Sequence, residues 1–382
     1  MLRLLSGFCS ISLSVFAVVA VLLPSAIAQP KWIAVHEGTD FSVTVSPNHQ
    51  SIIMDLQGLL WSLPIAGGKA TQLTSALTEA SHPSWSPKGN LVAFQSYAGG
   101  TFHIWTMKPD GTGLRQITTG HGDDREPAFS PDGTQIAFSS DRAFKGSYDI
   151  WTIDLATGVL KQWTASEADE FEPTWAPSGS ELAFVSGTGI AGKTIEEMTS
   201  DGKQRTVATL GGHEGRLEAP AYSPDGKCLS YIQFSGAGLF MNAAHLMVSG
   251  EQVSKEDDAF PFPTAWLSPN ELLYTANGKL LKINVETRAE TQIPFEAAIR
   301  SFRPQYAPKR YSFDPSTLHE VKGIYAPALA PDGKHVAFIA LNQLWVMEIG
   351  KTPRALTHDA FYKQGPQWSP DGRSLAYVSD KK

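Results

Sequence analysis

The chain has 382 residues, a formal net charge of −7 and two cysteines, Cys9 and Cys228. That acidic balance, with no basic stripe to neutralise phosphates, argues against nucleic acid as a partner. So few cysteines rule out a disulfide-stapled scaffold, and 33 glycines with 25 prolines point to many short strands and tight turns.

The N-terminus reads as an export signal over residues 1–28. Arg3 supplies the positive end, "LLSGFCSISLSVFAVVAVLL" the apolar core, and Ala26 and Ala28 the small residues before a cut after Ala28. The other reading of this run is an uncleaved anchor, since it is almost long enough to span a bilayer. Cleavage leaves a periplasmic or secreted chain with no stable membrane insertion. Its one remaining thiol, Cys228 in "GKCLSYI", is expected in the core.

From residue 29 the chain repeats itself. "EPAFSPDGTQIAFSSD" (126–141) has relatives in "HPSWSPKGNLVAFQS", "EPTWAPSGSELAFVS", "APAYSPDGKCLSYIQ", "APALAPDGKHVAFIA" and "GPQWSPDGRSLAYVSD", with weaker copies at "TVSPNHQSIIMD" and "AWLSPNELLYTA". The turn prolines Pro47, Pro87, Pro131, Pro177, Pro224, Pro269, Pro331 and Pro370 fall 39 to 47 residues apart, except for a gap of 62 after Pro269. A strand-rich unit of this period indicates propeller blades. In "SPDG" the proline presets a turn and glycine follows where a side chain would hinder. The flanking runs pair as antiparallel strands; "YDIWTID" supplies a third and "KQWT" a fourth. The expected fold is all-β, a β-propeller of four-stranded antiparallel blades with six to eight repeats. Both faces of a blade are covered by neighbours, so its strands need not alternate cleanly. Trp61, Trp105, Trp151 and Trp345 share one repeat position, and Trp85, Trp175 and Trp368 another, which suits core packing.

The string "GTGIAGKT" (187–194) matches the phosphate-loop pattern G-x-x-x-x-G-K-[ST]. A phosphate loop needs a helix directly after it. Here the repeat requires a strand, because "TIEEMTSDGK" aligns with "HIWTMKPDG". The string is therefore expected to be a hairpin, with no nucleotide bound.

Residues 29–294 hold six repeats, enough for a closed ring, and "KWIAV" (31–35) is expected to add an outer strand to the last blade. Residues 295–323, basic, aromatic and proline-containing, break the period as an insertion or linker. Residues 324–382 hold further repeats, the last incomplete, which suggests the front portion of something longer.

The SPDG-centred repeat with its "AF.S" and "IW..D" elements resembles the TolB-like β-propeller family, related to the WD-repeat class. That resemblance spans nearly all of the chain after the signal. It implies a periplasmic, protein-binding role at the cell envelope. More narrowly, "EGTDFSVTVSP", "MDLQGLLWSLPIAGGKATQLT" and "APALAPDGKHVAFIALNQLWVMEIG" resemble the propeller region of large secreted amidohydrolases. In those proteins a metal-dependent hydrolase domain follows the blades, and such a propeller would gate access to it. This chain ends before any such domain.

No catalytic constellation emerges. No His-x-His, H-E-x-x-H or G-x-S-x-G occurs, so catalytic residues, metal and cofactor are all expected to be none. The segments leading into the innermost strands are richer. "GHGDDREP", "EADEFEP" and "GGHEGRLEAP" place Asp123, Asp124, Glu126, Asp169, Glu170, Glu172, Glu214 and Glu218, with His82, His121 and His213, around one mouth of the channel. Like charges around an opening focus its field, which suits a cation or a basic protein or peptide partner. The alternative is a set of solvated loops whose carboxylates pair with Arg125 and Arg216 or accept backbone amides.

Overall fold

The computed structural model describes residues 31–143, 146–188, 191–210, 215–237, 240–255, 258–301 and 321–381. The expected signal, the stretch 302–320, His213 and Glu214 lie outside these residues. The chain divides into two compact units, Met1–Gln305 and Tyr306–Lys382. Apart from one short 3-10 turn, Ala76–Thr78, every described element is a strand. No described helix is long and apolar enough to cross a membrane.

The first unit contains six four-stranded antiparallel sheets, each running in chain order from an inner to an outer strand. Their inner strands are Val43–Val45, Ala80–Trp85, Asp124–Phe129, Asp169–Trp175, Arg216–Tyr222 and Ala265–Ser268. We number these blades one to six. Apolar clusters join each blade to the next. Phe94 of blade two packs with Ile53 and Leu60 of blade one. Phe138 of blade three packs with Ala93 and Ile104 of blade two, and Phe184 of blade four with Ala137 and Ile150 of blade three. Further clusters join blades four to five and five to six. The last one joins Leu273 and Leu280 of blade six to Phe41, Ile52 and Met54 of blade one, which closes the ring. Both faces of each middle strand are thereby buried, which is why the sequence alternates so poorly there.

"KWIAV" does not extend the sixth blade, which has its own outer strand at Glu290–Gln292. Lys31–Val35 pairs antiparallel with Phe295–Ser301, which in turn runs parallel to Gly68–Lys69 beside blade one. The strand Phe295–Ser301 thus opens the stretch where the sequence period breaks.

"GTGIAGKT" falls in a hairpin. Gly187 and Thr188 end the second strand of blade four, and Ala191–Thr199 is its third. Lys193 donates its ammonium to the Gly215 carbonyl at 2.7 Å.

The second unit, described by itself, holds one four-stranded sheet with inner strand Ile324–Leu329 and a two-stranded sheet, Lys363–Trp368 with Leu375–Ser379. Ala337, Ile339, Leu344 and Val346 pack against Trp368 and Leu375 between them.

Candidate functional site

Five residues before each turn proline, the inner strand does something the ladder alone does not require. His82, Glu126, Glu172, Ala219 and Ala326 all have φ between 48° and 60°, and Gly365 has 56°. Each is followed by proline: Pro83, Pro127, Pro173, Pro220, Pro327 and Pro366. Proline has no N–H for the ladder and disfavours the α region in the residue before it. The pairing register shifts at this point in all six strands. In blades one and six the matching positions are Val43 and Ala265, and there Ser42 and Thr264 are not left-handed. The proline thus makes a bulge that re-aims the preceding side chain.

In the ring these bulges face a central cavity of about 390 Å³. Every blade contributes to its lining. Ser42, His82, Glu126, Glu172 and Thr264 stand at the bulge level, and Pro131, Pro177 and Pro224 at the turn level. Between them Phe129, Trp175, Tyr222 and Trp266 give aromatic walls. The cavity therefore combines an apolar barrel with carboxylates toward one end.

A belt of hydrogen bonds holds the bulges. The His82 amide donates to Asp55 Oδ2 at 2.8 Å, and the Ser42 amide to Asp55 Oδ1 at 2.6 Å. The Glu126 amide donates to Gln95 Oε1 at 2.8 Å, the Glu172 amide to Glu126 Oε2 at 2.9 Å, and the Ala219 amide to Glu172 Oε2 at 2.5 Å. Glu126 and Glu172 thus each support the next blade's backbone while facing the cavity.

The charges crowd. Burial pushes the Glu172 carboxyl well above its ordinary value, and the neighbouring Glu218 and Glu126 push it further, against the Ala219 amide and Arg216. Burial likewise pushes Glu218 up to about 7; Arg216 opposes this and Glu126 adds to it. Arg216 Nε lies 2.6 Å from Glu218 Oε1, with its guanidinium over the Phe234 ring. His82 leaves Nδ1 without a hydrogen-bond partner, its ring edge-on to Phe262.

The remaining candidates occupy other settings. Asp123 accepts from the Phe102 amide at 2.9 Å and from Arg125 Nη2 at 2.9 Å, and Asp169 accepts from the Tyr148 amide at 3.0 Å. Burial favours the neutral form of Asp123, but these donors outweigh it and its pKa falls. Both aspartates therefore tie a loop to the preceding blade. Asp124 is fully buried and satisfied by Arg142 at 2.6 Å, Ser140 at 2.7 Å and His103 at 3.3 Å. Glu170 is buried in the corresponding place one blade on. Its pKa is raised by burial and by Asp149 and Glu196, with Thr164 and Ser166 opposing. His121 is exposed. Of the nine candidates among the described residues, His82, Glu126 and Glu172 line the cavity, and Glu218 repels Glu172 and Glu126 from beside it. The aromatic lining and the Asp55 anchor were not singled out from sequence, although the x-Pro dipeptide at the bulge position is a legible signal for both. Among the described residues, no group of three or more His, Cys, Asp or Glu side chains is arranged to hold a metal ion.

The family described as the TolB beta propeller domain matches residues 57–145. That stretch carries TolB-type propeller sequence. TolB from Acinetobacter baumannii superposes with a TM-score of 0.52 at 16% identity, covering 69% of this chain and 66% of that one. A TolB candidate from Agrobacterium tumefaciens gives 0.46 at 18%, covering 70% and 83%. A puromycin-hydrolyzing peptidase from Mycobacterium tuberculosis gives 0.47 at 12%, covering 69% and 47%. No curated protein matches the sequence. At such identities the TolB propeller of Acinetobacter shares the fold, and the six closed blades described above are those of a TolB-like propeller.

Proposed function

We propose that the chain is an exported, non-catalytic TolB-like propeller that binds a protein or peptide partner through its central channel. Residues 1–28 supply the export signal, and the periplasm is the compartment that suits it. The single observation that carries the reading is the channel itself, where aromatic walls lead to the Glu126 and Glu172 carboxylates. That arrangement suits an extended segment with an apolar body and a cationic group, such as a lysine or arginine side chain. Charge-assisted hydrogen bonds in a dry channel are stronger than those at an open surface. Partner binding favours the ionised forms of Glu172 and Glu218, so affinity rises with pH, for Glu218 through about 7.

Titration of the full chain with a lysine-containing apolar peptide, and with its glutamate counterpart, tests this. Binding of the lysine peptide alone is expected, weakened at least about tenfold in the Glu126→Gln, Glu172→Gln double variant. Equal binding of both peptides, or an unaltered affinity in a folded double variant, would sink the proposal.

A second reading rests on residues 37–47, 54–74 and 326–350, which resemble the propeller region of secreted amidohydrolases. On that reading the ring gates substrate access to a metal-dependent hydrolase (or peptidase) domain. Finding such a domain encoded in frame beyond Lys382 would favour it.

A further inference from the structure

The channel is not the roomiest space among the described residues of the ring. A cleft of about 750 Å³ opens between blades four and five. The repeat changes on both sides of it. In blades two and three the third strand sends Trp105 and Trp151 toward the preceding blade, opposite Phe94 and Phe138 in the ladder. In blade five the residue at that position, opposite Tyr231, is Met247. Met247 packs into the apolar cluster with Val185, Ile195 and Tyr231 and leaves the cleft wall to Tyr231, Leu229 and Gln233. Blade four changes in step. Where blades two and three present Thr106 and Thr152 toward the next blade, it presents Glu197.

Glu197 is 4% exposed and forms the floor of the cleft. Arg205 donates through Nε to its Oε1 at 2.6 Å, and Tyr222 donates its hydroxyl to Oε2. Burial, with Glu197 beside it, pushes the Tyr222 phenol far up, so it stays a donor. Gln233, Lys227 and Asp225 add to the polar lining, and Lys227 Nζ lies 3.4 Å from Asp225 Oδ2. Well-packed apolar side chains often replace a buried ion pair at no loss of stability, so stability alone does not account for a carboxylate at this interface. Here the carboxylate is oriented at both oxygens and faces an open space of ligand size.

We propose that this cleft is a second binding site, for a neutral polyhydroxylated ligand of di- or trisaccharide size. The charges in it are already matched, Arg205 with Glu197 and Lys227 with Asp225, and Glu181 adds a carboxylate that repels anions. What remains is a set of fixed donors and acceptors beside a tyrosine ring, which suits hydroxyl groups on a compact ring. Carboxylates keep acceptor capacity after two donors are bound, so Glu197 can take a ligand hydroxyl as well. The site does not depend on the channel reading; Tyr222 and Pro177 form the wall common to both cavities.

Cys228 lines the cleft and is half-buried, so it reports occupancy. The test is the alkylation rate at Cys228 in the full chain, read by mass spectrometry of its peptide. It is measured with and without maltose, cellobiose, diacetylchitobiose and maltotriose at millimolar concentration, with glycine and inorganic phosphate as charged controls. At least one saccharide is expected to slow alkylation and raise Tm while the charged probes do neither. Gln233→Ala and Lys227→Ala, which leave the Glu197–Arg205–Tyr222 contacts in place, are expected to weaken that protection roughly five- to tenfold. Glu197→Gln is the stronger variant, interpreted only if its circular dichroism matches the parent. No protection by any saccharide, protection by the charged probes alone, or protection unchanged in both rim variants overturns the proposal.

Discussion

The same repeat is written in both units, and its side chains meet different fates. Two residues before the turn proline, Phe129 and Trp175 in the ring are 8% and 9% exposed. The matching Leu329 of the second unit is 60% exposed, and Val378 on its last described strand 66%. Local structure is nevertheless the same. The left-handed bulge before proline recurs at Ala326 and Gly365. Trp368 Nε1 donates to the Ala328 carbonyl at 3.0 Å, as Trp175 does to Ala128 at 3.2 Å. Blade formation is thus a property of the repeat, whereas burial is a property of having neighbours on both faces, as expected of a quasi-one-dimensional array.

The sharpest way to break this comparison is by core truncation. Phe138→Ala, at the interface of blades two and three, should cost about 3–5 kcal/mol in urea unfolding of the ring. Leu329→Ala should stay within about 0.5 kcal/mol for its unit. Comparable losses at the two sites would mean that Leu329 is covered in solution.

Trp175→Phe and Trp368→Phe each remove one indole hydrogen bond to a preceding blade's carbonyl, so each should cost about 0.5–1.5 kcal/mol. A clear inequality between them would show that the second unit's blades are not packed like the ring's.

The smallest effect expected is a pH slope confined to the ring. Glu170, Glu172 and Glu218 have folded-state pKa values raised above the ordinary 4.5, Glu218 to about 7. The folded state therefore holds protons that the unfolded chain has released. The contribution of Glu218 is fully present below pH 4.5 and is lost as pH rises through about 7, and Glu170 and Glu172 act in the same direction. Tm of the ring should fall across that window, and Glu218→Gln should flatten the slope. A rising Tm there would mean these carboxylates are ionised and paired in the folded protein. The second unit holds an opposite case, Asp332, pulled to about 2 by the Lys334 amide and His335, which favours stability above the ordinary aspartate range.

The candidate site was legible only in part. Glu126 and Glu172 could be chosen because they lie five residues before a turn proline. Asp123, Asp124, Asp169 and Glu170 lie within three residues of them and look alike in sequence. They differ only in what folding places beside them: the Phe102 amide, Arg142, the Tyr148 amide and Ser166. The cleft between blades four and five was not legible in the sequence, because a void depends on side chains from two blades at once.

By itself the sequence determined the repeat, the strand order within each blade and the turn at each "SPDG", because these rest on interactions among neighbours in the chain. It also marked the bulge, since a proline without an N–H breaks the ladder wherever the fold puts it. Tertiary structure alone decided that six blades close, that Lys31–Val35 joins Phe295–Ser301, and which carboxylates face the channel. Those outcomes depend on contacts between residues as far apart as Gly38 and Gly278, whose backbones meet at 2.9 Å, and no local pattern encodes such a meeting.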